Sequence, residues 1–190
     1  IRDAWIFDNG QTWCVGEFWE DSEQYSVKVW DGGSWQSKKL FRHYQDTIRV
    51  IPSIKSVWAF SENDIWFAGG TVYHYSNNDT LTTMYGEFAW TPPFYYHIWG
   101  SSPENIYFSD QYHSFVGHYD GSEFTDIDNL TDVPLIDIWG VESPETNEIS
   151  VWTGGWDDDT SETVLLSNHG DVWQLVTDTY LWPALQDTIS

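Results

Sequence analysis

Four tryptophans divide the chain into units of similar length. Trp5, Trp58, Trp99 and Trp139 stand 53, 41 and 40 residues apart. A period of roughly 40–50 residues is that of a repeat architecture, in which each unit buries its apolar face only against its neighbours. Other positions repeat with the tryptophans. Four residues before each lies a large apolar side chain, Ile1, Ile54, Tyr95 and Leu135, and eight residues after the first three comes an aromatic, Trp13, Trp66 and Tyr107. In the fourth unit an insertion, Ser143 to Glu148, delays the corresponding Ile149-Ser-Val151.

Each unit reads as a meander of short strands. The clearest copy spans 98–124, where Trp99 ends one apolar run, Ser-Pro-Glu-Asn makes a turn, Ile106 to Phe108 open a second run, and a third leads through Val116 and Tyr119 into Asp120-Gly121. Asp-Gly is favoured in two-residue hairpin turns, whose central residues both need positive φ. Third strands are expected at Ser26–Trp30, Val72–Tyr75, Phe115–Tyr119 and Val164–Ser167. They run into turns at Asp31-Gly-Gly33, Ser76-Asn-Asn78, Asp120-Gly121 and Asn168-His-Gly170. Trp35, Phe124 and Trp173 then open fourth strands.

Four strands per unit describe an all-β chain built as a β-propeller of four-stranded antiparallel blades, at about 1–53, 54–94, 95–134 and 135–187. A β-sandwich needs no such tryptophan period, and solenoid repeats are shorter. Asp187-Thr-Ile-Ser190 matches the lead-in Pro52-Ser-Ile-Lys-Ser56. Residues 188–190 are therefore expected to begin a further blade, which makes the four units part of a larger propeller.

Thirty acidic residues against seven basic ones give a net charge of −23. Such a surface repels phosphate backbones and anionic lipids, which argues against nucleic-acid partners, and no run is long enough for membrane insertion. It suits saline or extracellular surroundings. The one cysteine, Cys14, lies between Trp13 and Val15 and reads as a small buried hydrophobe. Ile1 is not an initiator methionine and no signal-peptide pattern follows it, so the numbering is expected to begin inside a longer or processed chain.

The segments Val-Trp-Ala-Phe-Ser-Glu-Asn-Asp-Ile-Trp-Phe-Ala-Gly (57–69), Ile-Trp-Gly-Ser-Ser-Pro-Glu-Asn-Ile-Tyr-Phe (98–108) and His-Tyr-Asp-Gly-Ser-Glu-Phe (118–124) resemble the repeats of a family of bacterial secreted propeller proteins frequent in Bacteroidota. The resemblance spans the chain and implies a propeller at an extracellular or cell-surface location. It brings no catalytic residues with it. Gly100 and Gly140 follow their tryptophans as in the family repeat, whereas Ile6 and Ala59 hold that place in the first two units. Asp8-Asn-Gly-Gln-Thr-Trp13 looks like the Asp-box of sialidase-type propellers, a structural turn in which an aspartate accepts backbone N–H groups.

A glycosidase needs two opposed carboxylates, and a sialidase also needs an arginine cluster. Arg2, Arg42 and Arg49 fall at unrelated repeat positions. His74 and His118 share one repeat position, which points to packing or a recurrent hydrogen bond; His43, His97, His113 and His169 make no ligand spacing. The alternating Asp126, Asp128 and Asp132 lack the glycine and terminal glutamate of a calcium loop. The repeated tryptophans read as core between blades.

Two insertions break the regularity between second and third strands, residues 17–24 and 155–161, and both belong to one rim of a propeller. Each sets a tryptophan among acids. Trp19, Glu20, Asp21, Trp156 and Asp157 are candidate ligand-binding residues, the indoles as stacking platforms and the carboxylates as hydroxyl acceptors; Asp157, Asp158 and Asp159 are candidate calcium ligands. The expected function is a non-enzymatic scaffold or recognition module for a protein or polysaccharide partner, since variation on a regular frame is where binding concentrates. The open blade edges are expected to be covered by the remainder of the chain or a neighbouring subunit. The alternative is a carbohydrate-active hydrolase with part of its site in further blades.

Overall fold

The computed structural model describes residues 1–44, 46–76, 80–85, 93–127, 130–157, 159, 162–169 and 172–176. Every regular element among them is a β-strand. The first sheet contains β1 (Asp3–Ile6), β2 (Thr12–Glu20), β3 (Glu23–Trp30) and β4 (Trp35–Lys38) in chain order. The third holds β11 (Tyr95–Ser102), β12 (Asn105–Asp110), β13 (Val116–Tyr119) and β14 (Phe124–Ile127). The fourth holds β15 (Asp137–Glu142), β16 (Ile149–Asp157), β17 (Glu162–His169) and β18 (Trp173–Leu175). All pairs in these sheets are antiparallel, with Trp5 opposite Trp13, Trp99 opposite Tyr107 and Trp139 opposite Trp152.

The second sheet is larger. It contains the hairpin β5 (Phe41–Tyr44) and β6 (Thr47–Val50), then β7 (Ser56–Ser61), β8 (Asp64–Ala68), β9 (Val72–Tyr75) and β10 (Thr80–Tyr85), in the order β6-β5-β10-β9-β8-β7. The hairpin accounts for the longer interval between Trp5 and Trp58. It precedes the second repeat in sequence yet pairs in parallel with that repeat's last strand, Thr80 opposite Phe41 and Leu81 opposite Arg42, so it extends the sheet's outer edge. Arg42 and Arg49 are cross-strand partners in it, and the Arg42 guanidinium lies 5.9 Å from the Tyr73 ring centre.

The first strands of successive sheets pack side by side, β1 on β7, β7 on β11 and β11 on β15, so the four sheets fan as propeller blades around their first strands. Each joint between blades has its own apolar core. Trp13, Val15 and Val27 meet Ile54, Val57, Ile65 and Phe67 between the first two blades. Trp66, Ala68 and Val72 meet Tyr95, Ile98, Ile106 and Phe108 in the second joint, and Trp99, Tyr107 and Val116 meet Leu135, Ile138, Val151 and Leu166 in the third. A middle blade must be apolar on both faces. In β12, Ile106 and Phe108 join the second cluster while Tyr107 between them joins the third, as the two-residue period of a strand requires.

The repeated tryptophans are not uniformly core. Trp99 is 4% exposed because β15 covers it, Trp5 and Trp58 are half-buried, and Trp139 is 62% exposed. The same residue type at the same repeat position is buried only where a following blade meets its face. Among the described residues no strand pairing links the first sheet with the fourth. The expected lead-in at 187–190 lies outside the described residues.

Candidate functional site

One end of the blades carries both insertions. Asp3 at the start of β1 pairs with Val15, and β2 runs on past it to Glu20; Asp137 at the start of β15 pairs with Gly154, and β16 runs on to Asp157. Both insertions are therefore extensions of the hairpin between second and third strands. The middle blades turn back sooner, between Ala68 and Val72 and between Asp110 and Val116. The second of these turns is held by Asp110, a fully buried carboxylate that accepts the N–H groups of Phe94 and Tyr112 at 2.8 Å and meets His113 Nδ1 at 3.0 Å.

Trp19 lies opposite Gln24 and is 63% exposed; Trp156 lies opposite Thr163 and is 52% exposed. Two large indoles thus face solvent at the same end of the molecule. Glu20 is engaged within its own sheet. Its carboxylate binds Lys28 and accepts the Ser37 hydroxyl at 2.6 Å, and the Lys28 ammonium, then Ser37, hold it below the usual glutamate range. Asp21 and Ser22 close the hairpin as a two-residue turn with φ of 50° and 68°, the arrangement of a type I′ turn, which normally calls for Asn-Gly. Asp157 pairs with Glu162 through the backbone, Asp159 is exposed, and Asp158 lies outside the described residues. Among the described residues no group of three or more His, Cys, Asp or Glu is placed to hold a metal ion.

A cavity of about 400 Å³ opens between the first strands, lined by Arg2, Asp3, Lys55, Ser56, His97 and Asp137 with Trp5, Trp58 and Trp139. Four of its polar residues occupy one repeat position, two before each tryptophan, so the repeat itself brings them together. Asp3 Oδ2 accepts the Ser56 hydroxyl and the Val57 N–H, both at 2.9 Å, joining the first two blades. His97 Nδ1 stands 3.6 Å from Asp137 Oδ1 across the third joint. Desolvation pushes the His97 imidazole below the ordinary histidine value, against the opposing pull of Asp137 and then Asp3. These residues were legible only as a column of the repeat, since nothing in their local spacing resembles a ligand motif.

The other residues singled out in the sequence serve the frame. His74 Nε2 meets Asp64 Oδ1 at 2.8 Å and stacks on Trp66 at 4.6 Å; His118 Nε2 meets Asn105 Oδ1 at 2.8 Å and stacks on Tyr107 at 4.3 Å. This is a recurrent side-chain clip. His169 contacts the Ser150 hydroxyl at 2.8 Å, and His43 is exposed on the added hairpin. Asp126 accepts the hydroxyl of buried Tyr95 at 2.6 Å, Asp132 is exposed, and Asp128 lies outside the described residues. Cys14 is buried, and desolvation raises its thiol pKa.

The opposite end holds the turns between third and fourth strands and two grooves between blades. One groove is lined by Gln11, Trp13, Asp31, Lys38, Glu62 and Tyr75, the other by Asn105, Tyr107, Glu148, Ser150, Asn168 and His169. The aspartate-capped turn anticipated at Asp8 forms instead at Asp31 and Asp120. Asp31 Oδ1 accepts the N–H groups of Gly33 and Ser34, and Asp120 Oδ1 those of Ser122 and Glu123. At 8–13 it is Asn9 that accepts the Gln11 N–H. Nor is Asp120-Gly121 a two-residue turn. Tyr119 pairs with Phe124, which leaves four residues in the loop, and only Gly121 takes positive φ, at 94°.

No family model matches the chain, and no curated protein matches it. Among solved structures it is similar to YCF48 bound to D1 peptide, at 12% identity and a TM-score of 0.39, over 91% of this chain and 79% of that one. It is also similar to a fucose lectin from Kordia zhangzhouensis in complex with methyl-fucoside, at 10% identity and a TM-score of 0.31, over 91% of this chain and 95% of that one.

Proposed function

We propose that this chain is a non-enzymatic recognition module on a propeller scaffold, and that it binds a protein or polysaccharide partner through the end bearing the two extended hairpins. The observation that carries the reading is the exposure of Trp19 and Trp156 at that one end. In a chain that buries Trp13, Trp66 and Trp99, these two indoles present more than half of their surface to solvent, and both lie on strand extensions that run past the turns of the middle blades. The turn at Asp21-Ser22 supports it. Two adjacent non-glycine residues in the left-handed region cost stability, and such strain concentrates where a surface is kept for binding.

The net charge of −23 favours neutral or cationic partners at this end and fits an extracellular or cell-surface setting on a bacterium. The test is a glycan array and a peptide library probed with the wild-type chain and with Trp19→Ala/Trp156→Ala. The reading expects a bound class that the double variant loses while its thermal unfolding is unchanged. Binding that survives loss of both indoles contradicts it.

A further inference from the structure

We propose that the cavity between the first strands is a separate binding site for a singly charged acidic sugar, such as a uronic acid or the uronate end of an acidic polysaccharide. Three observations lead there. The first is the placement of positive charge. Only seven residues of the chain are Lys or Arg, and two of them, Arg2 and Lys55, line this one cavity. Elsewhere the cations are engaged: Lys28 with Glu20, Lys39 with Glu23 at 3.0 Å, Lys38 over the rings of Trp13 and Tyr75, and Arg42 over Tyr73. Among the described residues neither Arg2 nor Lys55 is in an ion pair. Two cations outside any ion pair among the described residues, set against the carboxylates of Asp3 and Asp137 on the same lining, suit a ligand with no more than one carboxylate.

The second observation limits the ligand's charge. Asp3 and Asp137 line the same space, so a phosphate or any multiply charged anion meets repulsion from both. Asp3 is committed to Ser56 and Val57, whereas the exposed Asp137 carboxylate accepts the Ile138 N–H at 2.8 Å and approaches His97. Asp137 accepts hydrogen bonds, and a neutral His97 both donates and accepts, which is the pairing that neighbouring hydroxyls need. The third observation is the aromatic lining. Trp5, Trp58 and Trp139 all border the cavity and offer flat apolar surface suited to the C–H face of a sugar ring. A volume of about 400 Å³ is at the small end of ligand sites and suits a single sugar residue.

This site shares an end with Trp19 and Trp156 and uses neither, so the two readings fail separately. The experiment is a ligand-observed NMR titration with sodium D-glucuronate, D-glucose and triglycine, the last to present a carboxylate without a sugar ring. The expected result is that glucuronate binds about tenfold more tightly than glucose, the worth of one charge-assisted contact. Arg2→Gln/Lys55→Gln should lower glucuronate to the level of glucose with the thermal midpoint unchanged, and Trp19→Ala/Trp156→Ala should leave glucuronate binding as it was. No binding of glucuronate, equal binding of the two sugars, tighter binding of triglycine, or glucuronate binding indifferent to the Arg2 and Lys55 changes each overturns the proposal.

Discussion

The indole of Trp99 fills the space that a side chain at Gly140 would need: a Cβ at position 140 would lie 2.6 Å from the ring. The same relation recurs one joint earlier, where a Cβ at Gly100 would lie 2.7 Å from Phe60 and 3.3 Å from Trp58 Nε1. The glycine at 140 is thus explained by the tryptophan of the blade before, and the glycine at 100 by Phe60 together with Ile106 and Trp58.

Gly140→Ala should therefore destabilise the third joint. Trp99 is buried and its ring has no room to retreat, so overpacking should cost about 1–3 kcal/mol. Chemical denaturation of the variant measures this, and an unchanged midpoint would show that the joint is looser than the geometry states.

Asp3→Ala should weaken the joint between the first two blades. It leaves the Val57 N–H and the Ser56 hydroxyl without their acceptor in a partly buried place, at a cost of about 1–3 kcal/mol. Hydrogen exchange at Val57 should accelerate with it, and protection there equal to wild type would contradict the role.

Ser22→Gly should stabilise the chain. It relieves a non-glycine residue at φ 68° and should gain about 1 kcal/mol, while Ser22→Val should cost more than that. A lower thermal midpoint for Ser22→Gly would remove the strain argument.

Asp120 gives a pH signature. The N–H groups of Glu123 and then Ser122 hold its carboxyl down to about 2, below the ordinary aspartate value of about 3.9. A depressed folded value means that ionisation favours the folded state, so the contribution is complete above the unfolded value and is lost as pH falls through the folded one. Asp120→Ala should lower the thermal midpoint at neutral pH, and the gap from wild type should close between about pH 4 and pH 2. A gap independent of pH would mean that the turn does not depend on the ionised form.

The blades were legible because aromatic anchors and turn residues act locally: Trp5 to Trp139 mark first strands, and Trp35, Phe124 and Trp173 open fourth strands as read. What was not legible depends on contacts between units. The β5–β6 hairpin has ordinary strand composition, and nothing within it signals parallel pairing with Thr80 and Leu81. Exposure of Trp139 depends on what meets its face, not on its own sequence. The aspartate turn at Asp8 failed because the motif needs a connection between third and fourth strands, which Asp31 and Asp120 have. The cavity residues are about 40–50 positions apart in the chain, so they become a site only once the repeat is wound about its axis.

Recognition at the hairpin end can be read by hydrogen-exchange mass spectrometry of the protein with and without the strongest binder from the array or library. Slowed exchange is expected in residues 17–25 and 154–157, with the opposite turns at 61–64, 102–105 and 142–149 unchanged. Protection confined to those opposite turns would contradict it.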